Sequence, residues 1–426
     1  MSAAKNNSRR PWLWVPTLYC AEGLPYALAM SVSVVLYKNL GVSNAAIAFY
    51  TSWLYLPWVI QPLWSTFVDI LKTRRLWILT MQLFVGAELA GVALAIPAPP
   101  FFQITLAIFW LLAFASATHD IAADGFYLLA LPEREQAWFN GVRSACYRVA
   151  MIFAQGGLVI LAGEIFKRTN NYATAWATVF ALAAGIVLTF GIWHRFILPK
   201  PAVDAAGQAG SLEKFFADFL KTFVEFFRKP KILTLLAFIL LYRLGEAQLV
   251  KMAQPFLLDQ RAVGGLGLQN EQIGFLYGTI GVIALTVGGI LGGIAISRNG
   301  LKFWLWPMLL AIHLPDAVFI WLAYAQPQNF FAIGSGIAIE QFGYGFGFSA
   351  FMMYLIRIAR GPHPTAHYAI CTGFMALGMM IPGMWSGWLQ EHVGYPKFFV
   401  WVILATIPSF WVATKIPLEA EFGKRN

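Results

Sequence analysis

Cysteine is scarce in this 426-residue chain: Cys20, Cys146 and Cys371 are the three present, each alone in apolar sequence. No CxxC or Cys/His spacing joins them, so neither a disulfide framework nor a structural zinc is expected. Charge is scarce too, at 12% of residues against 59% apolar, and Phe102 to Ala117 and Val179 to Trp193 carry none. That balance excludes a soluble globular domain and reads as a polytopic all-α membrane protein. There is no leader pattern: Lys5, Arg9 and Arg10 precede an apolar run that passes Met30 without a small-residue cleavage site, so a retained first span is expected. No enzyme constellation appears either. His363 and His367 flank Pro364 with no Glu in a zinc-hydrolase pattern, and no strand precedes the glycine-rich stretch Gly334 to Gly347, so a phosphate-binding loop is not expected. With no ATP-binding motif, no cofactor and no metal site, work done by this chain draws on a gradient.

What is present is apolar length. At the ~20 residues needed to cross a bilayer, the sequence divides into twelve spans: 11–36, 47–68, 75–96, 102–131, 140–163, 173–197, 231–258, 271–296, 302–325, 329–358, 364–389 and 395–416. Loops are short except 198–230, where Phe215, Phe216, Phe219, Phe223, Phe226 and Phe227 alternate with charged residues as in a helix lying on a membrane surface. The expected organisation is therefore an N-terminal six-helix half (1–197), a linker (198–230) and a C-terminal six-helix half (231–426). With both termini cytoplasmic, 21 of the 30 Lys and Arg fall in inner segments and 5 in outer loops, a strong positive-inside bias. The net charge of +10 then finds its partner in membrane lipid and needs no nucleic acid. Trp12, Trp14, Trp304 and Trp306 at span ends read as interfacial anchors.

The loop after span 2, Ser65 to Asp69 and on to Lys72, Arg74 and Arg75, has a counterpart after span 8 in Gly293 to Ser297, Arg298 and Lys302. This repeat resembles the loop motif of the major facilitator superfamily, with Ser65 where Gly is usual. It implies the twelve-helix fold of two halves about a midplane site, with Asp69, Arg74, Arg75 and Arg298 as conformational loop residues.

Four cations remain inside the spans, Arg143, Arg148, Arg243 and Lys251, together with Glu22, Glu88, Asp120, Asp124, Glu246, Asp316 and Glu340. Charge in lipid is expensive, so such residues pair, face water or carry cargo. At about 1.5 Å per residue, Asp124 and Arg148 both lie roughly 10 Å from the cytoplasmic end of their spans, which reads as an ion-pair lock between spans 4 and 5. Asp120, one turn from Asp124 and beside His119, is the candidate proton carrier. Glu22 in span 1, one turn from Tyr26 and next to the bend at Pro25, reads equally as a second proton site or a hydrogen-bonded neighbour. In span 7, Arg243 is either a ligand for an anionic substrate or the partner of Glu246, while Lys251 reads as a snorkelling cation near the outer end. Glu340, Gln341 and Tyr344 project from span 10, and Tyr55, Trp58 and Gln61 in span 2 are placed to stack on sugar rings. Asp316, with His313 one turn earlier, reads as peripheral.

The run Ala115-Ser116-Ala117-Thr118-His119-Asp120-Ile121-Ala122-Ala123-Asp124, followed by Leu131-Pro132-Glu133-Arg134-Glu135 and Tyr147-Arg148-Val149-Ala150-Met151, resembles the signatures of AmpG-type muropeptide permeases. These form part of the peptide/acetyl-coenzyme A transporter branch of the superfamily. Glu22-Gly23-Leu24-Pro25 and Leu63-Trp64-Ser65 are similar to that branch as well, whereas the C-terminal half carries only the span pattern. The resemblance implies a monomeric, proton-coupled importer of amino-sugar peptides, the anhydro-muropeptides of peptidoglycan turnover, in a bacterial inner membrane. Its site would draw on Asp120, Asp124, Glu22 and His119 for protons and on Arg143, Tyr147 and Arg148 for substrate. His119 stands where Gln is usual. A sugar or coenzyme carrier of the same fold and a lipid-linked flippase are the alternatives.

Overall fold

The computed structural model describes residues 11–201, 204 and 212–424, and among these no strand occurs. Ten helical stretches are long and apolar enough to cross a membrane: Pro11–Asn39, Arg74–Ala95, Phe101–Ala130, Arg134–Thr169, Tyr172–Ile197, Ile232–Leu258, Asn270–Asn299, Leu301–Ala325, Phe330–Ala359 and Pro364–Ala413. The last is two spans in one, because Gly394 takes φ 76° and turns the chain just before Pro396. Span 2 is the helical segment 44–71, broken by a single 3-10 turn at Trp53–Tyr55. Counted this way, the described residues make twelve spans, all helical.

Local sequence sets the helix starts. Ser43, Thr73 and Asn171 each accept a hydrogen bond from the backbone N–H three residues on, and Asn329 accepts from Phe331 and Ala332, which satisfies donors that a helix leaves open. Span 3 has a second cap that the linear pattern does not reveal: the Asp204 carboxylate accepts from the backbone N–H of Arg74 at 2.8 Å and of Arg75 at 3.1 Å.

By contacts the chain forms two units, the described residues up to Ser33 with Leu63–Phe215, and Val34–Pro62 with Phe216–Asn426. The C-terminal end of span 1 and most of span 2 thus pack with C-terminal helices. In the first unit Trp14, Tyr19, Phe126, Tyr127 and Phe139 share one core. Trp14 is therefore a core residue packed edge-on to Phe126, with ring centroids 5.4 Å apart, while Trp12 and Trp306 keep the exposure expected of anchors.

In the second unit, span 10 lies between spans 8 and 9 on a stripe of glycines. A Cβ at Gly345 would sit 2.0 Å from the Leu285 carbonyl oxygen, and one at Gly343 would sit 2.1 Å from that of Ala311. With no hydrophobic drive between helices in lipid, such close backbone approach supplies the packing. The linker helix Leu212–Phe227 forms as expected. Its end is not confined to a surface, however: Phe226 is fully buried in the core with Phe238 and Tyr354.

Candidate functional site

Two groups of intramembrane charge emerge, one in each unit. In the first unit, spans 1 and 5 approach closely where a Cβ on Gly23 would meet the Tyr147 carbonyl oxygen at 3.0 Å. This brings Tyr26 and Tyr147 together, with ring centroids 6.4 Å apart, and sets Glu22 in electrostatic reach of Asp120, Asp124 and Arg143. Glu22 Oε2 is buried without a hydrogen-bond donor among the described residues.

The ion pair here differs from the expected one. Arg143 Nη1 lies 3.0 Å from Asp124 Oδ1, and the Tyr19 hydroxyl, buried under both, donates to the same oxygen at 3.0 Å and accepts from Arg143 at 3.0 Å. The guanidinium also stacks over Tyr19 and Tyr127, at 5.0 and 5.2 Å from the ring centres. Equal depth alone pointed to Arg148. Azimuth decides otherwise, since the five residues from Arg143 to Arg148 turn the second side chain by about 140° at 3.6 residues per turn. Arg148 lies beside Tyr147 and makes no ion pair among the described residues.

His119 takes a separate path. Its buried ring Nε2 is 3.0 Å from Gln82 Nε2, Gln82 Oε1 is 2.9 Å from His194 Nδ1, and His194 Nε2 is 2.9 Å from Thr17 Oγ1. The chain ties spans 4, 3, 6 and 1 together. Gln82 and His194 carried no charge signal in the sequence.

In the second unit, the Arg243–Glu246 pair, one of the two readings of Arg243, is not formed among the described residues. Arg243 Nη2 donates to the Tyr344 hydroxyl, and the guanidinium lies over the Tyr344 and Phe348 rings at 5.2 and 4.9 Å. Glu246 instead meets Asp316 of span 9 and Glu340 of span 10. One carboxylate oxygen from each of the three lies within 4.8 Å of the others, and the residues are 0%, 1% and 1% exposed. Gln341 Nε2 donates to both Glu340 oxygens at 3.2 and 3.0 Å and to Tyr277 Oη at 3.3 Å. Asp316, read as peripheral, is thus central to this group. Its expected contact with His313 is not made, as His313 Nε2 is 3.0 Å from Ser409 Oγ. The signal that marks Asp316 is Pro315, which tightens span 9 into a 3-10 turn at Leu314–Asp316.

Lys251 does not snorkel. Only 2% exposed, it donates to Thr51 Oγ1 at 2.9 Å and lies 5.3 Å from the centre of the Tyr55 ring. Tyr55 is therefore at a buried cation, while Gln61 makes no hydrogen bond among the described residues. At the loop motifs, Arg74 donates to the Gly125 carbonyl at 2.9 Å and Arg75 to those of Leu198 and Arg195 at 3.3 and 2.6 Å. The Asp69 side chain lies outside the described residues, and Arg298 is exposed in the last turn of span 8.

Twelve membrane-crossing helices with ionisable groups buried in both units define a multi-pass transporter. Residues 17–386 match the model of the Major Facilitator Superfamily, and the chain belongs to that superfamily. It is 25% identical, over 92% of each chain, to a protein of Rickettsia conorii named putative transporter AmpG 4. To the anhydromuropeptide permease of Escherichia coli K12 it is 24% identical, over 95% of this chain and 79% of that one. Among solved structures, a nucleoside transporter (D323A mutant) superposes with a TM-score of 0.73 at 14% identity, over 95% of this chain and 99% of that one. A D-xylose-proton symporter gives 0.72 at 10% identity, over 97% and 99%. Carriers with such different named substrates share the fold alone.

Proposed function

We propose that this transporter imports peptidoglycan-derived anhydro-muropeptides across the bacterial inner membrane by proton-coupled alternating access, as a monomer with both termini in the cytoplasm. The observation that carries the reading is similarity to a permease of that name along 95% of this chain. The chemistry of the charged clusters suits such cargo. A muropeptide presents sugar hydroxyls, amides and stem-peptide carboxylates. Arg148, with no carboxylate partner among the described residues, and the buried Arg243 and Lys251 are the cations available to those carboxylates. Tyr26, Tyr147, Tyr55 and Tyr344 offer faces for sugar rings, and Gln61 and Gln341 offer amides.

For the driving ion, Asp120 takes the proton, with Glu22 as the acid nearest in character. Asp124 is held by Arg143 and Tyr19 and acts as the fixed charge beside it. His119 supports Asp120 by fixing span 4 against span 3 through Gln82.

The test is uptake of labelled anhydro-muropeptide into proteoliposomes with and without an imposed pH gradient, for the unaltered chain and for Asp120→Asn. The expected result is accumulation that follows the gradient and is lost in the variant. Uptake of a simple sugar without uptake of muropeptide overturns the substrate. A rate indifferent to the gradient overturns proton coupling, and gradient-driven uptake by Asp120→Asn overturns the role of Asp120.

A further inference from the structure

The first unit's acids have Arg143 and Tyr19 beside them. The acids of the second unit are compensated differently. Glu246, Asp316 and Glu340 come from spans 7, 9 and 10, and one oxygen of each lies within 4.8 Å of the others. A separate observation concerns their bonding: Glu246 and Asp316 each keep both carboxylate oxygens buried with no hydrogen-bond donor among the described residues. A buried ionised carboxylate without donors is among the costliest arrangements a protein can hold. Two of them beside a third cost more still.

The groups facing the trio come from four helices. Span 7 adds Arg243, whose Nε is buried and unpartnered. Span 8 adds Tyr277, in electrostatic reach of all three acids. Span 9 adds His313, turned to Ser409, and span 10 adds Gln341 and Tyr344. Three carboxylates against one guanidinium leave two negative charges without compensation, which two protons neutralise. A metal ion is the competing occupant. The orientation of Gln341 opposes it, because the amide directs its NH2 group at both oxygens of Glu340, and a donor there repels a cation while suiting an anion. Glu340 is thus the acid furnished with donors, whereas Glu246 and Asp316 are bare. A carboxyl group that shares a proton with a like neighbour is the familiar resolution of such a pair.

We infer that Glu246 and Asp316 form a second proton-binding site, holding exchangeable protons beside the Glu340 anion. The inference rests on the proton-coupled reading given above and extends it to the C-terminal helices, where the family resemblance offered only the span pattern. Protons pass between bulk water and the carboxylate oxygens, with no other bond made or broken. The glycines at 343 and 347 belong to the design, since a Cβ there would meet the span 9 backbone at Ala311 and Met308, and their absence lets span 10 approach span 9 where Glu340 meets Asp316.

The experiment is an infrared titration of the full chain in liposomes, read at the carbonyl stretch that only a protonated carboxylic acid shows, in H2O and D2O. The unaltered protein should give a pH-dependent band of buried carboxyl groups. Glu246→Gln and Asp316→Asn, neutral isosteres of the protonated forms, should each remove part of it, and Glu340→Gln should move the midpoint of what remains. Glu421→Gln, at an exposed pair with Lys424, should leave the band intact. A band unchanged in both Glu246→Gln and Asp316→Asn overturns the site. So does loss of the band on adding Na+ or Ca2+ at fixed pH, which assigns the trio to a metal ion. In proteoliposomes, Asp316→Asn should accumulate substrate only to the level seen without a pH gradient. If the unaltered protein takes up no muropeptide, the substrate reading fails while the infrared result still decides this site.

Discussion

Arg143 and Asp124 meet at 3.0 Å with the hydroxyl of Tyr19 within hydrogen-bonding distance of both. The three groups come from spans 5, 4 and 1, so a single contact fixes the mutual rotation of three helices. Asp124 is 51% exposed and Arg143 29% at the side chain, so the pair is not sealed from water. Its worth should be about 1 kcal/mol, as for pairs in contact with solvent.

A double-mutant cycle measures this directly. Asp124→Asn with Arg143→Met should show coupling of about 1 kcal/mol in thermal stability. Asp124→Asn with Arg148→Met should be additive, because Arg148 does not touch Asp124. Coupling to Arg148 alone would reinstate the depth-matched pair.

The His119–Gln82–His194–Thr17 chain is a buried network, and replacing Gln82 leaves His119 Nε2 and His194 Nδ1 without their partner. Gln82→Leu should destabilise the detergent-solubilised protein by about 1–3 kcal/mol, the cost of buried polar groups left unpaired. An unaltered melting temperature would show that the two rings find other partners. Because the chain stays within the first unit, the acids of the second should titrate as before.

Glycine at 345 is a requirement of backbone approach. Gly345→Ala places a Cβ 2.0 Å from the Leu285 carbonyl oxygen and should cost about 1–3 kcal/mol by overpacking. Gly293→Ala on span 8 meets nothing within 4 Å and should change stability by less than about 0.5 kcal/mol. Equal effects at the two positions would contradict the close packing of spans 8 and 10.

The C-terminal segment should be acid-sensitive. Arg357 donates to Glu419 through Nε at 2.7 Å and Nη2 at 2.5 Å, and these bonds lower the Glu419 carboxyl from 4.5 to about 2. A depressed carboxylate stabilises the fold above its ordinary value, and that contribution is lost as pH falls from about 4.5 toward 2. Hydrogen exchange should show the amide of Leu301, which donates to Phe422 at 2.8 Å, losing protection over that window. Glu419→Gln should show the faster exchange already at neutral pH. The contribution is small, since Glu419 is 59% exposed.

Much of the fold was legible because a bilayer leaves little choice. Without water to take up backbone hydrogen bonds, a 20-residue apolar run becomes a helix, and every span recognised by length is found as one. The break at Gly394 falls where the sequence divides spans 11 and 12. One feature was not legible: the end of the linker helix enters a core through Phe226, which depends on neighbours remote in sequence.

The site was legible in composition and not in pairing. Asp120, Asp124, Glu22, Arg143, Arg243, Glu246 and Glu340 announced themselves as charges in lipid, a cost visible from the residue type alone. Depth along a helix followed from counting, yet depth gives one coordinate of a contact. Rotation about the helix axis and the choice of neighbouring helix give the others, and these turned Asp124 to Arg143, separated Arg243 from Glu246, sent Lys251 to Thr51 and drew Asp316 in from the periphery.

The sequence by itself determined that this chain lives in a membrane as twelve helices and which residues would be costly there, because transfer of apolar and charged groups depends on composition and length. The tertiary structure alone decided which of those costs are offset by a partner and which are left open at Glu246 and Asp316. Those depend on which helices meet, with spans 8, 9 and 10 in close approach along glycines, a matter of packing between segments that no local pattern records.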